Sequence, residues 1–213
     1  MGINQRTFAK SPKRRRMGAK HLGEALASGG GKARNRAIVL LMRRGYQGAH
    51  MLAKHLPAGE PKFCFTLIRA LQAGGNSSAA MDIAKAFQNP SFDVQIKALG
   101  AICKIAKEKK YTARFVPAVV EALKSGHFGI RSSASMWLRE TAKKNLGTGA
   151  IVFARVSNLL SDPREEVRCA AVSAIGGINS RMAIAALREA SNDPSQEVRR
   201  YAEFYLRNKL GHL

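Results

Sequence analysis

Apolar residues return along this chain in steps of four, and blocks of them return about every thirty residues. Counted from Pro163 as zero, Val167, Ala171 and Ile175 fall at plus four, plus eight and plus twelve. From Pro194 the same places hold Val198, Ala202 and Leu206. Steps of this size keep side chains on one face of a helix. The template also fits at Pro90 with Val94, Ala98 and Ile102, and at Gly126 with Ile130, Ala134 and Leu138. Upstream it fits at Gly59 with Phe63, Leu67 and Leu71, and at Gly29 with Ala33, Ala37 and Leu41. Between these six starts, the amphipathic stretches 46–56, 77–88, 112–125, 149–161 and 180–191 read as return helices, and 18–28 supplies one ahead of the first start. No stretch has the β-branched alternation of a sheet. The pattern predicts an all-α chain of about 12 helices, paired into about six hairpins. They form one right-handed α-solenoid over residues 18–213, with no second domain.

The best copies carry start signals. Ser161 to Ala171 recurs 31 residues later as Asn192 to Ala202. Asp162 and Asp193 are suited to cap a first turn, Pro163 and Pro194 to the first helical position, and Glu165 and Gln196 to a capping box. Asp-Pro-x-x-x-Val-Arg-x-x-Ala with a partner helix, at spacings of 30 to 37 residues, resembles HEAT repeats, in particular the short HEAT-like kind. The resemblance is strongest over 162–208 and weakens upstream. It implies a binding surface and a ladder between neighbouring repeats made by Asp162, Asp193, Arg131, Arg168 and Arg199. Cys64 and Gln95 stand at the Arg position of two early repeats, where such a ladder would be interrupted. Fold alone implies no function.

Charge narrows the partner. The 213 residues carry 36 Lys and Arg against 14 Asp and Glu, a formal net charge of +22. Self-repulsion on this scale disfavours a compact state unless polyanions are nearby, so nucleic acid is the leading expectation. Anionic membranes also attract polybasic surfaces. The longest aliphatic run is only Ala37 to Met42, with no lipidation signal or secretory segment, and the sequence predicts no membrane role.

The excess is uneven: +12 over 1–58, +1 over 59–88, +8 over 89–161 and +1 over 162–213. Residues 1–17 form a basic arm with Arg6, Lys10, Lys13, Arg14, Arg15 and Arg16, and Lys20 follows closely. Such a segment cannot bury a core and is expected to order only on a polyanion. It reads as a nucleic-acid arm of the kind seen on ribosomal proteins; a nuclear-localisation signal and an organellar transit segment are the alternatives to a cytoplasmic protein. Lys32, Arg34 and Arg36 continue the basic stretch. Arg43, Arg44, Lys107, Lys109, Lys110, Lys143, Lys144 and Arg181 all follow their helix starts by 14 to 20 residues. Stacking is expected to align them as a stripe suited to phosphates. The competing account is the ordinary preference of Lys and Arg for helix C-termini.

Aromatic residues are only 7% of the chain, and Phe63, Phe65, Phe87, Phe115, Phe128 and Trp137 are expected in the core. The expected mode is therefore backbone recognition with little base reading. A HEAT-like alkylpurine DNA glycosylase is the enzymatic alternative, and Asp82, near Phe87, is its one loose catalytic candidate. Ser28-Gly29-Gly30-Gly31-Lys32 lacks the spacing of a phosphate loop, and His50 and His55 lack metal-ligand geometry. Cys64, Cys103 and Cys169 read as core thiols of a reducing compartment. No cofactor and no small-molecule substrate is expected. Tyr201, Phe204 and Tyr205 on the last helix mark a possible protein-docking face for an adaptor. The sequence thus predicts a non-enzymatic nucleic-acid-binding solenoid, RNA favoured over DNA, with glycosylase and adaptor as rivals.

Overall fold

The computed structural model describes residues 18–74, 77–108, 112–144 and 146–210. Its helices are α1 (Ala19–Ala27), α2 (Gly31–Met42), α3 (Tyr46–Ala53), α4 (Pro61–Gly74), α5 (Ser77–Ala84) and α6 (Phe92–Glu108). They continue with α7 (Val116–Ala122), α8 (Phe128–Ala142), α9 (Leu146–Val156), α10 (Glu165–Ile175), α11 (Arg181–Ala190) and α12 (Gln196–Leu210). Among the described residues there is no strand, and the chain is an α-solenoid. Three return helices are only seven to eleven residues long and adjoin a 3-10 turn, at Lys85–Gln88, Thr112–Phe115 and Ser157–Ser161.

The apolar template becomes the core. Every template residue of α6, α8 and α10 is fully buried. The end repeats are looser: Ala33 is exposed, and Phe63 and Leu206 are half-buried. The even-numbered helices α2 to α12 pack on one another in series, as do α3, α5, α7 and α9, and each hairpin packs internally. The result is two stacked layers around one continuous core.

The connections explain the close stacking. Gly45, at φ +64°, turns the chain from α2 into α3 in three residues, a conformation that glycine adopts without steric cost. Gly48 then lies against α2 so closely that a Cβ would sit 1.8 Å from the Leu41 carbonyl oxygen.

The helix starts depart from the expected capping. α10 and α12 begin at Glu165 and Gln196, two residues after each proline, and Arg164 caps α10 without a side-chain bond. Asp162 Oδ1 accepts from the Arg164 backbone N–H at 3.1 Å, and Asp193 Oδ1 from that of Ser195 at 2.8 Å. These are turns that aim the chain into the helix. Asn89 and Ser125 do the same, accepting from the N–H groups of Ser91 and His127 at 2.9 and 3.0 Å.

The ladder is also corrected. In four repeats the residue five past the start donates to the carbonyl just before that start: Gln95 to Asn89, Arg131 to Ser125, Arg168 to Asp162 and Arg199 to Asp193, at 2.7–2.8 Å. Across repeats, the guanidinium of Arg168 holds Asp193 at 2.8 and 3.0 Å. Asp162 is taken by Arg164 of its own turn at 3.1 Å. The places expected to break the ladder continue it with neutral partners, because Ser125 bonds Gln95 and the Asn89 amide reaches Cys64 Sγ at 3.7 Å.

Candidate functional site

Short connections make successive helices antiparallel, so each layer presents its ends at two edges. One edge holds the starts of the even helices and the ends of the odd ones. It carries the turns just described, with acids such as Glu60, Asp93, Glu121, Asp162 and Glu165 interspersed among its bases. The other edge holds the ends of the even helices and the starts of the odd ones. In the terminal turns and described connections there stand Lys20, Arg43, Arg44, Lys107, Arg114, Arg139, Lys143, Lys144, Arg181, Arg207 and Lys209. Glu108 and Glu140 are the acids of this edge among the described residues.

This edge gathers most of the sequence-derived basic candidates that fall within the described residues. Lys20, Arg43, Arg44, Lys107, Lys143, Lys144 and Arg181 are all exposed on it. Lys20 and Arg181 lie at helix N-termini, where the helix dipole disfavours a cation, so a preference for C-termini does not account for them. Lys32 and Arg36 are exposed on α2 away from this edge. Arg34 is half-buried; it donates to the Ala27 carbonyl at 3.1 Å and lies 4.9 Å from the Phe63 ring centroid, which makes it a tie between repeats. Arg6, Lys10, Lys13, Arg14, Arg15, Arg16, Lys109 and Lys110 lie outside the described residues.

At its C-terminal end the edge opens into a hollow of about 790 Å³. Arg139 and Lys143 at the end of α8, Gly176, Gly177 and Asn179 to Arg181, Ile184 of α11, and Phe204, Tyr205, Asn208 and Lys209 of α12 line it, and no acid does. Arg139 Nη1 donates to the Tyr205 hydroxyl at 2.6 Å, and Ser173 Oγ lies 3.0 Å from the same oxygen. Gly176 and Gly177 permit this approach, since a Cβ on the first would meet the Tyr205 ring at 2.4 Å and on the second the Arg139 backbone oxygen at 2.7 Å. Lys209 Nζ donates to the Ile178 carbonyl at 2.7 Å and to Asn179 Oδ1 at 3.0 Å. Burial, and then the charge of Lys143, push the Lys209 ammonium below the usual lysine range. Glu140 pairs with Lys143 at 2.9 Å from outside the lining.

The aromatic expectations divide. Phe87 and Phe115 are buried, and Phe63, Phe65 and Trp137 are half-buried against the core. Phe128 is 69% exposed: it stands two residues before the first apolar template position of α8, off the buried stripe. Of the three residues expected to form a docking face, Tyr205 is buried and hydrogen-bonded, Tyr201 is half-buried beside the Arg200 guanidinium, and Phe204 is 54% exposed.

Asp82 does not present an open carboxylate. It is 4% exposed, and its Oδ1 is held by Lys85 Nζ at 3.0 Å and His50 Nδ1 at 3.2 Å. Of the cysteines read as core thiols, Cys64 lies in the core, while Cys103 and Cys169 are half-buried against it. Burial pushes the Cys103 and Cys169 thiols up to about 11. Among the described residues no helix is long and apolar enough to cross a membrane, and no group of three His, Cys, Asp or Glu is placed to hold a metal.

No curated protein matches the chain. Among solved structures, a designed armadillo repeat protein is 18% identical with a TM-score of 0.41, covering 89% of this chain and 98% of its own. A second designed armadillo repeat protein, in complex with the peptide (KR)4, is 19% identical with a TM-score of 0.43, covering 89% of this chain and 98% of its own. Likeness at that level carries nothing about binding. A family model described as HEAT repeats matches residues 153–206. The turn and the +5 hydrogen bond of that segment recur at Asn89 and Gln95 and at Ser125 and Arg131, so the register of the HEAT-similar segment extends upstream to α6 and α8.

Proposed function

We propose that this protein is a non-enzymatic scaffold that binds nucleic acid, RNA in preference to DNA, through phosphate-backbone contacts along its basic edge and N-terminal arm. The observation that carries the reading is the imbalance of the two edges: one mixes acids with its bases, while the other sets eleven described Lys and Arg against two Glu. Repeated cations along one side of a stack match the repeated charge of a sugar-phosphate chain. The preference for RNA rests on the composition of the arm.

The test is the salt dependence of binding to a labelled RNA. Log affinity is expected to fall with log salt at a slope of roughly 0.7 to 0.9 per phosphate contacted. The variant Arg43→Gln/Lys143→Gln/Lys144→Gln should weaken binding and flatten that slope, whereas Lys54→Gln/Lys62→Gln on the opposite edge should change it little. Equal losses from both edges, or an affinity insensitive to salt, overturn the assignment.

A protein-adaptor role is the second reading. It is favoured by the cleft between α8, α10 and α12, where Phe128, Tyr201, Glu165, Glu166 and Glu197 combine aromatic rings with acids. Partners retained on the protein after nuclease treatment, and lost on Phe128→Ala, support it.

A further inference from the structure

We infer that the hollow between α8 and α12 is a subsite for one unstacked nucleotide of a single strand, with Phe204 stacking its base and Lys143 and Arg181 holding its phosphate. This rests on the nucleic-acid reading of the basic edge and makes it more specific.

Three observations converge here. The hollow is the place where the basic edge stops being a flat row of cations and acquires depth, about 790 Å³, enough to admit a base together with its sugar. Its lining contains four cations, Arg139, Lys143, Arg181 and Lys209, and no carboxylate. Two of them are tied into the protein, Arg139 to Tyr205 and Lys209 to Ile178 and Asn179, while Lys143 makes an exposed surface pair with Glu140 at 2.9 Å. Lys143 and Arg181 are exposed, and the charge of Lys143 already disfavours the neighbouring Lys209 ammonium. An anion held beside Lys143 in the hollow relieves that repulsion.

The second element is the ring. Phe204 is 54% exposed in the wall of the hollow, set edge-on to Tyr205 with ring centroids 5.1 Å apart and planes at 77°. Tyr205 is fixed by Arg139 and Ser173, so Phe204 stands on a rigid support. An exposed aromatic face beside phosphate-binding cations is the arrangement by which single strands are held without sequence preference. Asn208, one helical turn further on, is exposed and offers an amide at the same wall. A duplex buries its base faces in the stack and cannot use the ring, so the site selects unpaired nucleotides.

The test compares a labelled 12-nucleotide oligouridine with an abasic oligomer of the same length, whose phosphates are equal in number but which has no bases. For the wild-type protein, oligouridine is expected to bind about tenfold more tightly. Phe204→Ala should remove that difference and leave the abasic affinity unchanged, and Phe204→Trp should restore it. Arg181→Gln should weaken both oligomers and lower the salt slope by about one. Phe204 is exposed, so its variants are expected to fold, and unchanged circular dichroism serves as the check. If the wild-type protein binds both oligomers equally with a steep salt slope and Phe204→Ala changes nothing, the nucleotide subsite is wrong while the basic-edge reading stands. If neither oligomer binds, both fall.

Discussion

Gly48→Ala is expected to destabilise the N-terminal repeats by roughly 3 kcal/mol, the upper end of what overpacking costs. The added methyl would lie 1.8 Å from the Leu41 carbonyl oxygen and 2.5 Å from its carbon, and both are helix backbone. No rotamer change relieves such a clash; α3 has to move off α2, which exposes Leu41 and Leu52, both now fully buried. In a stacked array each repeat leans chiefly on its neighbours, so the damage should be graded along the chain. Hydrogen exchange is the direct measurement. Amides of α2 and α3 should exchange much faster in the variant, while those of α10 and α12 keep their wild-type protection. Uniform loss along the whole chain, or no loss anywhere, contradicts this account of the packing.

Breaking the charged rung should cost about as much. Asp193→Ala removes both carboxylate acceptors from the guanidinium of Arg168, whose side chain is only 13% exposed and which keeps only its backbone carbonyl partners, and leaving a largely buried cation without its counter-charge costs about 3 kcal/mol. The same carboxylate makes stability depend on pH. Hydrogen bonding from Arg168 is the largest influence, ahead of the opposing effect of burial; with the Ser195 N–H and the charges of Arg168 and Arg199, it holds the Asp193 carboxyl below the ordinary range. A carboxylate depressed in the folded state stabilises at pH values above its unfolded value, near 3.9, and the contribution is lost as pH falls through the folded value. Urea midpoints at pH 7 and pH 3 should therefore differ more for the wild type than for Asp193→Asn. Identical acid losses in the two proteins would mean that the rung does not carry this dependence.

The architecture was legible because it is written in apolar spacing. The six starts and their return stretches correspond to helices in place, with the looser fits at Gly29 and Gly59 giving the exposed Ala33 and the half-buried Phe63. Chemistry at the turns was less legible. Asp162 and Asp193 announce themselves beside a proline, whereas Asn89 and Ser125 do the same work with a different side chain, and only the shared offset to Gln95 and Arg131 exposes it. For the candidate site, position along a helix predicted which bases fall on one edge. It did not predict the hollow, which depends on Gly176 and Gly177 letting Tyr205 and Arg139 approach across 66 residues. Nor did it separate Phe204 from Tyr205, since adjacent residues on a helix point about 100° apart and only the packing decides which one is covered.

The unequal edges give the stack a difference in charge from one edge to the other, across the direction in which its repeats succeed one another. A body with such a difference is turned by a distant polyanion before any contact forms, basic edge leading, and the effect fades once salt shortens the screening length to about 10 Å. Under the proposed nucleic-acid reading, first encounters would therefore be largely pre-oriented, and the opposite edge, with its acids and turns, would face away from the strand and stay open to solvent.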